Sequence, residues 1–294
     1  MGRSVRGRYN VRQCIRGGDN VKIQTTTSGP KRVTTRTIAD LKKNRQAIAC
    51  LTAYDFLTAR LLDQAGIDLL LVGDSLGMVF QGHETTIPVT LDQMIYHALT
   101  VVRGVERAMV IVDMPFMSYQ ANDEEGFRNA GRVMKETGAG GVKFEGGSRI
   151  AKLVDMTVRA GIPVMGHLGL TPQSIHQFGG YQPRGATPEE AKRVLHDAKV
   201  LEEAGAFSLV LEKVPAELAK KVTKSLKIPT IGIGAGVHCD GQILVTPDVL
   251  GLYEDFHPRF VRKYAKLADD IRASIGNYVK DVKAKNFPGS KESY

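Results

Sequence analysis

The chain has 294 residues, 43% of them hydrophobic, with three cysteines and no tryptophan. That length supports a large core, enough for one barrel-sized domain or two smaller ones, and no apolar run approaches the ~18 residues of a membrane span. The odd number and wide spacing of Cys14, Cys50 and Cys239 argue against a disulfide framework or a zinc site, and for a reducing, cytoplasmic setting.

The formal charge of +9 is unevenly spread. Residues 1–45 carry 12 Lys/Arg against 2 Asp, whereas the rest carries 28 basic against 29 acidic residues. The basic character therefore belongs to a leader, not to the folded body. Residues 1–33 read as a loose, solvated segment because they lack apolar periodicity. Contact with nucleic acid or acidic lipid, or an organelle transit peptide, are the alternatives for so Arg-rich a stretch. The opening MGRSVRGRYN has neither the apolar core of a signal peptide nor, with Arg6, the Ser or Thr of a myristoylation motif.

Past residue 36 the chain becomes regular. A short helix is expected over 33–45, then strands near 47–52, 68–73, 109–113, 141–145, 163–167, 208–212, 229–233 and 243–246, and a long helix over 259–284. Between strands one phrase recurs. A helical pattern ends on Ala-Gly or Gly-Ala-Gly and a short apolar run follows, as in LLDQAGIDLLLVGD, KETGAGGVKFEG, VRAGIPVMGH and EEAGAFSLVLEK. Glycine after the last turn supplies the left-handed cap, and the apolar run reads as a strand buried on both faces. Helix starts are marked by TLDQ at 90–93, TPQS at 171–174 and TPEE at 187–190. Eight such strands alternating with helices predict an α/β fold, a (β/α)8 TIM barrel filling 34–284 as one domain, with 285–294 as a frayed tail. A doubly wound sheet is the alternative, but its phosphate loop follows the first strand, and here that strand runs into LTAYDF. GIGAG at 232–236 lies after the seventh strand and reads as backbone closing on a ligand or neighbour.

The strand ends carry the chemistry. LLLVGDSLG at 69–77 is a buried run that meets Asp74 and Ser75, and the next strands end at Asp113, at Lys143 and Glu145, at His167 and at Glu212. Singly, each has an ordinary explanation as a helix cap, a snorkelling lysine or a satisfied core histidine. Five strands delivering ionisable groups to the same end of a barrel, where active sites of this fold lie, favour a function for the set. A buried carboxylate needs a partner. For Asp74 that partner is expected to be a divalent metal shared with Asp113. The oxygen-rich trio Asp74, Asp113 and Glu145 suits a hard cation such as Mg²⁺, whereas a zinc hydrolase would want two or more histidines. Lys143 is placed to neutralise an anionic substrate, Glu212 is left free to act as a base, and His167 is placed to bond a substrate oxygen or steer Lys143.

The motifs CLTAYDF, LLVGDSLGMVFQGHETTIPVTLDQM, DMPFMSY, VKFEGG, GHLGLTPQS, FGGYQPRG and LVLEKVP occur in that order over about residues 34–265. They closely resemble the ketopantoate hydroxymethyltransferase family. The resemblance implies a barrel of the phosphoenolpyruvate/pyruvate superfamily that moves a hydroxymethyl group from 5,10-methylenetetrahydrofolate to 3-methyl-2-oxobutanoate. The product is 2-dehydropantoate, formed through a Mg²⁺-stabilised enolate, at the first committed step towards pantothenate. It also implies Asp74 and Asp113 as metal ligands, with Glu145 at the metal directly or through water. Ser75 and Lys143 are then substrate contacts, Glu212 the proton acceptor, and His167 part of the substrate site. A large homo-oligomer, commonly a decamer of two five-membered rings, is implied too, with no nucleic-acid or membrane partner. None of these positions departs from the family pattern, but the leader has no counterpart in it. The rivals are a Mg²⁺-dependent lyase or mutase of the same superfamily, opposed by the GHLGLTPQS and LVLEKVP segments, and a nucleic-acid-binding protein using the leader, opposed by the near-neutral body.

Overall fold

The computed structural model describes residues 31–255 and 258–294, so the leader up to residue 30, including Cys14, lies outside the described residues. Eight parallel strands close into a barrel in chain order: β1 (Ile48–Thr52), β2 (Leu69–Val72), β3 (Met109–Asp113), β4 (Gly141–Glu145), β5 (Val164–Gly169), β6 (Ser208–Glu212), β7 (Thr230–Ile233) and β8 (Gly241–Leu244). β8 closes the ring by pairing Gly241 with Ile48 and Leu244 with Leu51.

Strand periodicity sorts the side chains into two cores. Ile48, Cys50, Leu69, Leu71, Met109, Ile111, Met165, Val210, Ile231 and Ile243 fill the barrel interior. Their neighbours one residue along, such as Val72, Val112, Val142, Phe144 and Leu209, face outward onto the helices. The helix Thr35–Lys43 seals the N-terminal end of the barrel. Ile38 joins the interior cluster, and the Lys42 ammonium bonds Thr223 O, Ile228 O and Asp240 Oδ2 at 2.9–3.1 Å. The caps follow the sequence signals. Thr90 and Gln93 form a reciprocal capping box, and Thr187 accepts from the Glu190 N–H ahead of Pro188.

The differences from expectation have local causes. β8 begins at Gly241 rather than 243, because glycine there allows close approach: a Cβ would lie 2.5 Å from Ile48 O. Thr246 then starts a helical turn, its N–H donated to Thr52 Oγ1. The last helix is Leu267–Lys283, and residues 258–266 are not helical. Tertiary contacts draw that segment away: Tyr264 N–H bonds Val249 O at 2.8 Å, and Phe260 packs on Gly234. GIGAG begins inside β7, and its glycines close on Phe260 and Ala216. Thr171 makes no side-chain cap; a short 3-10 turn at Pro172–Ser174 takes its place.

Phe144 is fully buried and meets the Tyr119 ring edge-on at 5.0 Å. Phe144→Ala is expected to cost about 3–5 kcal/mol of stability, read by denaturant unfolding. A loss within experimental error would mean that the outer core does not depend on it.

Candidate active site

At the C-terminal ends of the strands the interior changes from apolar to ionisable. Ile111 is followed two residues on by Asp113, Met165 by His167 and Val210 by Glu212, while β4 contributes Lys143 and Glu145. The sheet register sets Asp113 beside Lys143 and Glu145 beside His167. Asp74 arrives differently. By alternation the inward position after Leu71 is Gly73, not Asp74. The strand stops at Val72, and the chain turns through Gly73–Leu76, with the Leu76 N–H bonded to Gly73 O at 3.1 Å and the Gly77 N–H to Asp74 O at 2.9 Å. The turn swings Asp74 back into the barrel mouth, where its own N–H reaches Asp113 Oδ2 at 3.2 Å.

Asp74, Asp113, Lys143, Glu145 and His167 are each no more than 4% exposed, and all line one cavity of about 320 Å³. The Lys143 ammonium lies 2.6 Å from Asp113 Oδ1, 3.1 Å from His167 Nδ1 and 3.9 Å from Glu145 Oε1. His167 Nδ1 is 3.4 Å from Glu145 Oε1, and its Nε2 is 3.4 Å from Glu212 Oε2. Glu212 is half-buried at the rim of this cluster. The structure thus brings every expected site residue together. Ser75 joins them, its hydroxyl 2.9 Å from the Tyr54 hydroxyl.

The electrostatics follow from crowding. Burial, Asp113 and Glu145 push the Asp74 carboxyl well above the usual range, against the pull of Lys143 and of the Gln173 amide. Burial likewise raises Asp113, although Lys143 opposes it. Burial works against Glu145, but the His167 hydrogen bond, Lys143 and the Gln173 N–H hold it below the usual value. Burial would discharge Lys143, yet Asp113, Glu145 and Asp74 outweigh it and keep the ammonium charged. Burial and Lys143 depress His167, but its bonds to Glu145 and Glu212 prevail and leave it raised.

Four carboxylates therefore face one ammonium and one imidazole. Among the described residues no group of three or more His, Cys, Asp or Glu forms a ready metal cage. The donor set nonetheless fits Mg²⁺, which takes one or two carboxylates and completes its shell with water and substrate oxygens. Asp74 and Asp113, joined by the Asp74 N–H on Asp113 Oδ2, are the pair that would hold it, and a divalent cation there would offset the excess negative charge around them.

Three polar residues at this site were not singled out by sequence reasoning: Tyr54, Tyr119 and Gln173. The Tyr119 hydroxyl bonds Gln173 Oε1 at 2.9 Å and accepts from the Glu145 N–H at 3.1 Å. The Gln173 amide reaches Asp74 Oδ2 at 2.9 Å. Each lies inside a quoted motif, and that was the only signal available.

A parallel barrel with buried carboxylates, a charged lysine and an imidazole converging on one mouth is the arrangement of a barrel enzyme with its site at the C-terminal ends of the strands. The family model described as Ketopantoate hydroxymethyltransferase matches residues 32–290, and the chain belongs to that family. It is 59% identical over 266 residues to the 3-methyl-2-oxobutanoate hydroxymethyltransferase of Prosthecochloris aestuarii, covering 89% of this chain and 96% of the relative. It is also 59% identical over 263 residues to the Salinibacter ruber enzyme of the same name, covering 90% and 99%. The chain is an enzyme of hydroxymethyl transfer towards pantothenate. Among solved structures the barrel resembles 2,3-dimethylmalate lyase, a member of the PEP mutase/isocitrate lyase superfamily (TM-score 0.56, 17% identity, 88% of this chain and 90% of that one). It resembles equally phosphonopyruvate hydrolase in complex with oxalate and Mg²⁺ (TM-score 0.56, 12% identity, 88% and 92%). These two likenesses concern the fold.

Proposed function

We propose that the chain transfers a hydroxymethyl group from 5,10-methylenetetrahydrofolate to 3-methyl-2-oxobutanoate, giving 2-dehydropantoate. The observation that carries this reading is the division of labour among the carboxylates. Asp74, Asp113 and Glu145 are held deep by Gln173, Lys143 and His167, whereas Glu212 stands at the rim against His167 alone of these.

Lys143 supplies a permanent positive charge to the carboxylate or keto oxygen of the substrate. Ser75, its hydroxyl steadied by Tyr54, is a second contact to the same end of the molecule. That clamp points C3 at Glu212, which takes the C3 proton. His167, between Glu145 and Glu212, holds the base in place and hydrogen-bonds substrate oxygen. One water releases the one-carbon unit from the folate as formaldehyde, breaking both C–N bonds and leaving tetrahydrofolate with an N–H on each nitrogen. The carbon nucleophile adds to that carbon held close by, and the alkoxide takes the proton back from Glu212 to give the hydroxymethyl group. Mg²⁺, when held by Asp74 and Asp113 with Glu145 behind them, supplies Lewis-acid polarisation of the keto acid. A cytoplasmic homo-oligomer goes with this reading, and the free thiols of Cys50 and Cys239 agree with a reducing compartment.

The test is product formation. Purified protein with both substrates and Mg²⁺ should yield 2-dehydropantoate, identified by mass spectrometry, in strict dependence on the folate. No product, or folate-independent turnover, would contradict the reading. Removal of residues 1–30 is expected to leave kcat/KM unchanged, because every residue given a role lies beyond them. A loss of turnover in the truncated chain would assign that segment a part in the enzyme.

A further inference from the structure

Gln173 is buried where no bulk water can satisfy it, and both polar atoms of its side chain and its backbone N–H are engaged. Its Nε2 donates to Asp74 Oδ2 and to Met114 O, both at 2.9 Å. Its Oε1 accepts from the Tyr119 hydroxyl at 2.9 Å and from Gln120 Nε2 at 2.8 Å. Its backbone N–H donates to Glu145 Oε2 at 3.1 Å. Two donors and two acceptors are thus matched, so a flip of the amide would break all four bonds at once. Among the described residues, Gln173 Nε2 is the hydrogen-bond donor to the Asp74 carboxylate. One residue therefore grips carboxylates from two separate strand ends, β2 and β4, and Tyr119 ties the same amide to the Glu145 backbone.

We propose that Gln173 is a positioning residue of the reaction: its side-chain amide and backbone N–H together fix the orientation of Asp74 and Glu145 towards the metal, and Tyr119 locks that amide. The inference rests on the reading of Asp74 as a metal ligand. A partner of this kind aims the lone pairs of a ligating carboxylate without touching the ion, and its loss typically costs about 10–100-fold in metal affinity or activity. Methionine at position 173 keeps a side chain of similar length while removing the grip on Asp74 and the link to Tyr119; the backbone N–H to Glu145 remains.

The test is Mn²⁺ binding to substrate-free protein, followed by electron paramagnetic resonance of the free ion, in wild type, Gln173→Met, Tyr119→Phe and Asp74→Asn. Gln173→Met is expected to weaken Mn²⁺ binding by about 10–100-fold with a comparable fall in kcat/KM. Tyr119→Phe, which frees the amide on one side only, should fall towards the lower end of that range. The dissociation constant reports on the folded fraction, so a merely structural role would lower Tm without moving it. If Gln173→Met does not fold, Tyr119→Phe carries the test by itself. Wild-type Mn²⁺ affinity in the folded variants, with Asp74→Asn impaired, would overturn the positioning role while leaving the metal reading intact. No Mn²⁺ binding by wild type, or full binding by Asp74→Asn, would instead overturn the metal reading on which it stands.

Discussion

Glu212→Gln is expected to abolish deuterium exchange at C3 of 3-methyl-2-oxobutanoate while Mg²⁺ and keto-acid binding survive. Glu212 follows Val210 at strand spacing, and Val210 packs in the barrel interior, so the carboxylate projects into the cavity from β6. It contacts His167 Nε2 at 3.4 Å, away from the Asp74 and Asp113 pair. Glutamine keeps the size and one acceptor but cannot take a proton. A positioned general base contributes about 10²–10⁴-fold, so the loss should fall in or above that range. Deuterium wash-in followed by NMR, with Mg²⁺ present and folate absent, isolates the step. Exchange at the wild-type rate would move the proton to another group, and His167 is the next in reach.

Asp74→Asn and Asp113→Asn are each expected to cripple turnover, by more than the ~10–100-fold typical of outer-shell partners, and to weaken dependence on Mg²⁺. The two substitutions differ in what else they disturb. Asn at 74 keeps an acceptor for the Gln173 amide and removes one of three crowded like charges. The metal-free variant should therefore melt no lower than wild type. At 113 the substitution also breaks the 2.6 Å pair with Lys143, leaving that buried ammonium with Glu145 at 3.9 Å, so stability should fall as well. Steady-state kinetics against Mg²⁺ concentration and thermal melts separate the two. Wild-type turnover in EDTA would remove the metal from the account.

The barrel was legible in the sequence because its signals are local. Glycine caps after the helices ahead of β2, β4, β5 and β6, apolar runs of strand length and Thr-led helix starts all act within a few residues of themselves. The ionisable strand ends were legible for the same reason: Lys143 and Glu145 lie two apart, and one strand puts both on one side. Asp74 shows where the rule bends, since alternation points it outward and only the turn at Gly73 brings it in. Gln173 had no local signal. It grips Asp74 across a separation of 99 residues, from a loop without periodicity. Tyr54 and Tyr119 were hidden likewise, as aromatic residues in strand-following loops whose hydroxyl partners come from other strands. The helix expected over 259–284 begins only at Leu267, because contacts to the turn at 246–249 and to Gly234 hold residues 258–266 out of it.

A crystal structure of the protein with Mg²⁺ and 2-dehydropantoate tests the central claim most directly. The account predicts Mg²⁺ on Asp74 and Asp113, the product's carboxylate and keto oxygens against Ser75 and Lys143, and its C3 facing Glu212. A product seated outside the barrel mouth, or C3 turned away from Glu212 with the metal on other residues, would contradict it.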